Sequence, residues 1–358
     1  MPAIKAAVLR ERGGPLQIES LEMEGPRDDE ILVRILASGI CRTDVDFCDH
    51  AIVSNKGLVL GHEGSGVVEQ VGRQVKDVSV GDHAVLSYQS CGECPACLDQ
   101  RPMACERFDE ANFGFARLDG SNALCRRGVK GNFFGQSSFA THALATERNL
   151  VTVDKDLPLE LLAPLGCGLQ TGAGTVLNSL AVPEGASIAI FGTGTVGLAA
   201  VMAARIVGAD PIIGVDLIPG RLEIARELGA GHTIENKYED PSARLFEITG
   251  GGVDYVVEST GDPGMQRIAI EALNPGGTVA LLTGAGGINS LSQGRRALAI
   301  IQGDAVPQRF IPRLIELYRA GEFPFDRLVR FYDFHEINRA MDDIRRGETI
   351  KAVLRING

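Results

Sequence analysis

Between Ile188 and Asp216 the chain strings together, without a break, an apolar β-branched run, three glycines at fixed spacing, an alanine-rich segment and a second apolar run that ends in an acid. Few folds accept that order. Ile188–Phe191 reads as a buried strand, Gly192-Thr-Gly194-Thr-Val196-Gly197 as the turn after it, residues 198–209 as a helix, and residues 212–215 as a strand closed by Asp216. The three glycines serve different ends. Gly192 permits a tight turn, Gly194 lets the backbone approach a pyrophosphate, and Gly197 lets the helix lie close on the strand. The helix N-terminus, around Val196, then offers free N–H groups to the phosphate oxygens. Alone, a G-x-G-x-x-G match is weak in a chain with 44 glycines, because such turns need hold no ligand. Strand, helix, second strand and terminal acid in order make it a dinucleotide site. Asp216 is placed to accept hydrogen bonds from ribose hydroxyls and would repel a 2′-phosphate, which favours NAD over NADP. Arg221, five residues on, either pairs with the ribose region or is an ordinary solvated charge.

The same grammar continues downstream. A helix over 221–228, a strand over 255–258, a helix over 266–273 and a strand over 278–282 predict a parallel sheet covered by helices. The first third reads differently: short apolar or alternating runs at 6–9, 31–37, 66–71 and 83–86 are punctuated by glycine, with one helical stretch at 42–48, as in a compact β domain. At 358 residues and 44% hydrophobic content there is material for two buried cores. A net charge of −11 and a pI near 5.1, with no basic stripe, argue against nucleic acid or an anionic membrane as partner. Residues 1–15 lack a charged segment followed by an apolar one, and no run approaches the ~18 apolar residues of a membrane span, so a cytoplasmic location is expected.

Eight cysteines in such a chain point to metal rather than disulfides. Cys91, Cys94 and Cys97 form two successive C-x-x-C steps, and Cys105 follows after seven residues. Four thiolates so close can close a tetrahedral zinc shell from one loop, with Gly92 and Pro95 favouring the turns that aim them inward. Such a site has no open position, so its role would be structural. An iron–sulfur cluster uses the same four ligands, a nucleic-acid-binding zinc ribbon fits poorly with the acidity, and four unrelated buried thiols are the plain alternative. A second set is dispersed: Cys41 in Gly39-Ile-Cys-Arg-Thr-Asp44, His62 in Gly61-His-Glu-Gly64, and Cys167 in Gly166-Cys-Gly168. Any one of them could be packing, yet flanking glycines at all three permit turns that aim the side chains at a common point. Two thiolates and one imidazole leave a fourth zinc position open, as a catalytic metal needs. Cys48 and Cys125 carry no signal beyond that of small buried thiols.

With these motifs in hand, the chain resembles the zinc-dependent medium-chain dehydrogenase/reductase family, the alcohol dehydrogenases, over nearly its whole length. Gly61-His62-Glu63-Gly64, the four-cysteine lobe, Cys167-Gly-Leu-Gln-Thr171-Gly172 and Gly192-Thr-Gly-Thr-Val-Gly197 carry the resemblance. Within the family, Gly135-Gln-Ser-Ser-Phe139-Ala and Gly303-Asp-Ala-Val-Pro-Gln308 are most similar to the aryl-alcohol (benzyl alcohol) branch. The resemblance implies an α/β protein: a GroES-like β-rich catalytic domain over 1–168, completed by 304–358, and a Rossmann doubly wound parallel-sheet domain binding NAD over 169–303. It also implies two zinc ions per chain, a small alcohol or aldehyde as substrate, and a homodimer or homotetramer in which residues 297–303 pair across the dimer.

The resemblance assigns roles residue by residue. Cys41, His62 and Cys167 would hold the catalytic zinc, and Cys91, Cys94, Cys97 and Cys105 the structural one. Thr43 would take the alcohol proton, Asp44 would hydrogen-bond the imidazole of His62, and Glu63 would tune the metal. Arg42 and Lys351 would pair with the pyrophosphate, and Thr171 would lie near the nicotinamide. Read from the residues alone, Asp44 is equally a helix cap, Glu63 a buried partner of an arginine and Lys351 a surface charge. Ser87 and Tyr88 are expected to face substrate, with Phe47, Phe113 or Phe133 as an aromatic wall. The implied reaction is reversible oxidation of a primary, aryl or allylic, alcohol by NAD. The alternatives are a polyol or secondary-alcohol dehydrogenase on the same scaffold and a non-catalytic zinc-stabilised binding protein. One position departs from the family: where many members carry a histidine three residues after the relay hydroxyl, this chain has Asp46. If that carboxylate passes the proton to solvent, Asp46→Ala slows alcohol oxidation mainly near neutral pH and below, and an unchanged pH–rate profile removes Asp46 from the relay.

Overall fold

The computed structural model describes residues 3–51, 57–124, 128–283 and 291–356, so Cys125 lies outside the described residues. Two units divide the chain, the first taking Met1–Cys167, Val306–Pro312 and Leu328–Gly358 and the second Gly168–Ala305 and Arg313–Arg327.

The first unit opens with eight strands: β1 (Ala3–Leu9), β2 (Leu16–Glu22), β3 (Glu30–Gly39), β4 (Leu58–Val59), β5 (Glu63–Val71), β6 (His83–Leu86), β7 (His142–Thr146) and β8 (Leu150–Val153). β1 lies between β2 and β4, antiparallel to both. The other strands join a larger sheet around β3, whose run Ile31, Leu32, Val33 is buried on both faces because β5 and β7 flank it and the core covers it. β3 is antiparallel to β5 with Gly39 opposite Glu63, so the residues just past the end of one strand and just before the start of the other are neighbours. Cys41 and His62 occupy those two places.

The second unit is a six-stranded sheet: β9 (Ile188–Phe191), β10 (Ile212–Asp216), β11 (His232–Glu235), β12 (Val253–Glu258), β13 (Leu273–Leu281) and β14 (Arg296–Ala299). All neighbours are parallel, in the spatial order β11-β10-β9-β12-β13-β14. Counted from β9 that is 3-2-1-4-5-6, the order of dinucleotide-binding sheets, in which ligands sit at the carboxyl ends of the strands where the order reverses. All four residues of β9 are buried, as expected of the central strand of a parallel sheet. Three helices start earlier than the hydrophobic pattern places them, Pro219–Leu228 by two residues. Thr195–Ile206 begins directly on the glycine turn, and Pro263–Glu271 begins where Asp262 caps the Met265 N–H at 2.9 Å with Pro263 at the first helical position. That earlier start leaves Leu273 to open β13 instead of closing the helix.

β15 (Val329–Asp333) and β16 (Lys351–Arg355) belong to the first unit and complete its large sheet in the order β15-β16-β3-β5-β6-β8, with β7 also on β3. β16 runs antiparallel to β3, Val353 opposite Gly39, which brings Lys351 to the same sheet end as Cys41 and His62. No helix among the described residues is long and apolar enough to cross a membrane.

Candidate active site

Cys41 is the N-cap of the helix Arg42–His50, and its backbone N–H is held by Asp44 Oδ2 at 2.9 Å. The other oxygen of Asp44 accepts from the Gly61 N–H and meets His62 Nδ1, both at 3.0 Å. Asp44 is fully buried, so the two readings of it from sequence, cap and imidazole partner, are one arrangement. Gly61 lies at φ +90, where a side chain would strike Phe139, and this turn swings His62 toward Cys41. Cys167 follows the turn Ala163–Gly166, where Gly166 packs on the Leu86 carbonyl at the end of β6. Its sulfur lies 4.0 Å from that of Cys41. Donor atoms of Cys41, His62, Cys167 and Glu63 all fall within 4.8 Å of one another.

This donor set fits a zinc ion. Ligand sulfurs at about 2.3 Å on tetrahedral corners stand roughly 3.8 Å apart, close to the observed sulfur separation. With Nδ1 engaged by Asp44, His62 Nε2 is buried without a hydrogen-bond partner, the atom a metal would use. The electrostatics of the cluster also suit a cation. The sulfur of Cys167, against the effect of burial, and then the imidazole pull the Cys41 thiol well below its ordinary range. Burial disfavours the charged form of His62, but Asp44 and Cys41 outweigh it and hold the imidazole up at about 10. Thr43 Oγ1 lies 3.7 Å from the Cys41 sulfur.

Lys351 differs from both expectations of it. It is buried, and its ammonium donates to both carboxylate oxygens of Glu63 (2.9 and 2.8 Å) and to the Ile40 carbonyl (3.0 Å) rather than standing free for a pyrophosphate. Burial works against its charge, yet the Glu63 carboxylate and the Cys41 sulfur more than compensate and raise its pKa. Glu63 thus pairs with a lysine, not an arginine. Arg42 donates to Asp46 at 2.7 Å along the exposed side of the helix, and the His50 ring, one turn further, meets the Asp46 carbonyl at 3.1 Å. Ser87 and Tyr88 are also placed otherwise than expected: the Ser87 hydroxyl donates to the Gly166 carbonyl at 2.7 Å, and Tyr88 is buried against Phe108.

Near His62 the first unit collects phenylalanines. Phe134 stacks on the imidazole at 4.4 Å and Phe133 meets it edge-on at 5.4 Å. Phe47, Phe113 and Phe115, half-buried, continue the cluster: Phe47 stacks on Phe113 at 5.6 Å and Phe115 on Phe133 at 5.4 Å. Phe134 and Phe115 fall within the aromatic clustering between Phe108 and Phe139 but are not singled out by the sequence.

The Cys91–Cys105 lobe brings its four sulfurs within 4.8 Å of one another, with 3.9 Å between Cys91 and Cys97. Backbone N–H groups of Cys91 and Cys94 point at the sulfurs of Cys105 and Cys91 (3.3 and 3.4 Å). Among the described residues no carboxylate or imidazole joins this group, so it is a closed four-sulfur set.

In the second unit, Gly192 lies at φ +86 and its N–H donates to the Val215 carbonyl at 2.8 Å. A Cβ on Gly197 would collide with the Gly192 carbonyl, whereas one on Gly194 would point into open space with only the Arg221 guanidinium 4.0 Å away. That opening is where a pyrophosphate would approach. Asp216 Oδ2 accepts from the Thr193 N–H (2.6 Å) and hydroxyl (3.0 Å), Oδ1 from the Ile218 N–H (2.9 Å), and Arg221 comes to 4.0 Å. The acid is thereby oriented at the carboxyl end of β10. Thr171 takes the Thr175 hydroxyl on its carbonyl, and the Val196 carbonyl lies where a Cβ on Gly172 would be.

Comparison with known proteins matches residues 27–155 to the alcohol dehydrogenase GroES-like domain and residues 195–302 to the zinc-binding dehydrogenase family. The chain is 46% identical to the geraniol dehydrogenase of Castellaniella defragrans over 98% of its own length and 97% of that protein's. Among solved structures, the benzyl alcohol dehydrogenase of Acinetobacter calcoaceticus superposes with a TM-score of 0.94 at 43% identity, covering 100% of both chains. An alcohol dehydrogenase zinc-binding domain protein from Burkholderia ambifaria does so with the same score and coverage at 48% identity.

The buried pair makes a stability prediction. Lys351→Met leaves the Glu63 carboxylate without its cation and is expected to cost about 3–5 kcal/mol in urea unfolding, part of which Glu63→Gln restores in the double variant. A loss under about 1 kcal/mol together with a raised KM for NAD would instead return Lys351 to the pyrophosphate.

Proposed function

Because the chain belongs to the zinc-dependent medium-chain alcohol dehydrogenase family, we propose that it moves hydride reversibly between a primary, aryl or allylic, alcohol and NAD, the product being the aldehyde. The observation that carries this reading is the three-donor set of Cys41, His62 and Cys167 with an unpartnered imidazole nitrogen. Bound there, zinc supplies a Lewis acid that makes an alcohol hydroxyl acidic near neutral pH, and NAD supplies the hydride acceptor. The chain's own groups do the rest. Asp44 fixes the imidazole tautomer that leaves Nε2 free to ligate. Thr43, beside the Cys41 sulfur, takes the proton of the alcohol, and Asp46 on the outer side of the same helix passes it to solvent. Burial pushes the Glu63 carboxyl up and the Lys351 ammonium opposes that while turning the carboxylate toward the ligands, where it tunes the site. Gly192, Gly194, Val196 and Gly197 cradle the pyrophosphate, Asp216 takes the adenosine ribose with Arg221 beside it, and Thr171 serves the nicotinamide end. Arg42, which the resemblance pairs with the pyrophosphate, donates to Asp46 at 2.7 Å. The four sulfurs of Cys91, Cys94, Cys97 and Cys105 hold a second, structural zinc.

The half-buried Phe47, Phe113 and Phe115 of the cluster support a flat, π-rich substrate, since ring faces and edges reward an aryl or allylic group more than an aliphatic polyol. The names of the geraniol and benzyl alcohol dehydrogenases point the same way. The assembly we propose is a homodimer or a homotetramer paired through β14, which has β13 alone as strand partner among the described residues and exposes Leu298 and, just beyond its end, Ile301.

Two measurements test these readings. With NAD, kcat/KM for benzyl alcohol or geraniol is expected to exceed that for ethanol and sorbitol by at least about ten-fold, with NADP poorer throughout, because one well-filled apolar contact alone is worth about that factor. A preference for sorbitol would favour the polyol alternative. Sedimentation at micromolar concentration is expected to give a dimer or tetramer, and Leu298→Arg to give monomer; a monomeric wild type would remove the edge pairing.

A further inference from the structure

The turn over residues 132–138 lies in an unusual conformation for its sequence. Asn132, Phe134 and Ser137 adopt positive φ angles of 66, 53 and 57, together with Gly135 at 66. For asparagine this is tolerable, but a phenylalanine there is a backbone outlier, and such outliers persist only where the surroundings over-determine them. The surroundings here are the segment that carries His62. Main-chain N–H groups of Ser138 and Phe139 donate to the carbonyls of Gly61 and Leu60 (2.9 and 3.1 Å), and the Ser137 hydroxyl accepts from the Phe133 N–H (2.9 Å) and donates to the Val59 carbonyl (2.7 Å). The turn is thus fastened along the whole approach to the histidine.

Two side chains of this turn act on His62 itself. Gln136, buried, spends both its N–H bonds on the carbonyls of His62 (3.0 Å) and Ser87 (2.9 Å), and its oxygen accepts from the Gly64 N–H (3.1 Å). The backbone on either side of Glu63 is therefore tied by one amide. Phe134, also buried, lays its ring on the imidazole face at 4.4 Å with 21° between the planes, and Phe133 closes the edge at 87°. With Nδ1 engaged by Asp44 at 3.0 Å, the imidazole cannot turn over without sweeping through the Phe134 ring, and Nε2 is left aimed and unpartnered.

We infer that the 132–138 turn is a clamp that fixes the ligating pose of His62, with Phe134 and Gln136 as positioning residues that slow release of the metal. The positive φ at Phe134 is what brings its ring face-on, and the amide of Gln136 is what resists the strain. The inference rests on the proposal that Cys41, His62 and Cys167 hold zinc, and the test separates the two.

Full-length zinc-loaded protein is mixed with the chromophoric chelator 4-(2-pyridylazo)resorcinol and zinc release is followed in time. Wild type is expected to release two ions per chain in distinct phases; a single ion per chain would sink the three-ligand site itself, whatever the clamp does. Phe134→Leu and, separately, Gln136→Met are expected to speed one phase at least ten-fold and leave the phase of the Cys91–Cys105 lobe unchanged. In cobalt-substituted protein the same variants shift the visible d–d bands, which a loss of stability elsewhere in the unit does not do. Phe134→Tyr keeps the stacked face and is expected to restore both rate and bands. If Phe134→Leu does not fold, Gln136→Met carries the test alone. A folded variant of either kind with wild-type release and wild-type bands overturns the clamp.

Discussion

Everything at the candidate active site hangs on one buried carboxylate. Asp44 takes the N–H of Cys41, the N–H of Gly61 and the imidazole of His62 on its two oxygens, so it joins the end of β3, the start of a helix and the turn into β5. A carboxylate without exposure to water is unfavourable unless its oxygens are matched by donors. These three donors come from the two ligand-bearing segments, so satisfying Asp44 and bringing Cys41 to His62 are the same event. Helix cap and imidazole partner, which look like rival roles in the sequence, are therefore not competitors.

A second charge problem sits beside it. Glu63 and Lys351, both buried, face each other across β5 and β16, 288 residues apart in sequence. In a dry interior such a pair gives little net stability over apolar residues, so its presence asks for a use. Its position supplies one. The carboxylate lies within the donor cluster of Cys41, His62 and Cys167, and the ammonium lends that thiol-rich cluster positive potential without occupying a coordination position. Gly39 belongs to the same device, since a Cβ there would strike the Glu63 carboxylate.

The stretch from Ile188 to Asp216 is legible in the sequence because its signals are local: apolar runs, glycine spacing and a terminal acid all act within thirty residues, whereas the strand His232–Glu235, the helix Pro241–Thr249 and the place of Arg313–Arg327 in the second unit carry no such signal. The four-cysteine lobe is legible for the same reason. The three dispersed ligands are visible only through their flanking glycines and a family resemblance, because what unites them is the β3–β5 register and the packing of Gly166 on β6. Lys351 fits neither role open to it in the sequence, since no local pattern shows that β16 lies beside β3. Ser87 looks like a substrate contact as a polar residue after a strand, yet its hydroxyl is consumed by the Gly166 carbonyl. Phe134 is not singled out, and Gln136 stands out only as part of a family motif. A positive φ at phenylalanine leaves no mark in composition, and the turn-formers Asn132, Gly135 and Ser137 at that angle are the nearest local hint.

The two sulfur sites differ in more than openness. In the lobe, backbone N–H groups of Glu106 and Cys97 pull the Cys94 thiol down to about 6, while burial pushes Cys105 up to about 12 and also raises Cys97. Without a cation the four sulfurs cannot all be ionised near neutral pH, since each thiolate formed makes the next harder to form. Metal binding must therefore expel protons from Cys97 and Cys105, and affinity at this lobe rises with pH until those thiols would ionise unaided. The catalytic set is arranged the other way: the Cys41 thiol is already lowered by Cys167 and His62, whereas the imidazole is held up at about 10, so the proton its metal must expel is chiefly that of His62. Acid should accordingly empty the lobe by protonating sulfur, whereas at the three-ligand site the proton competes chiefly for the imidazole nitrogen that the metal would otherwise occupy.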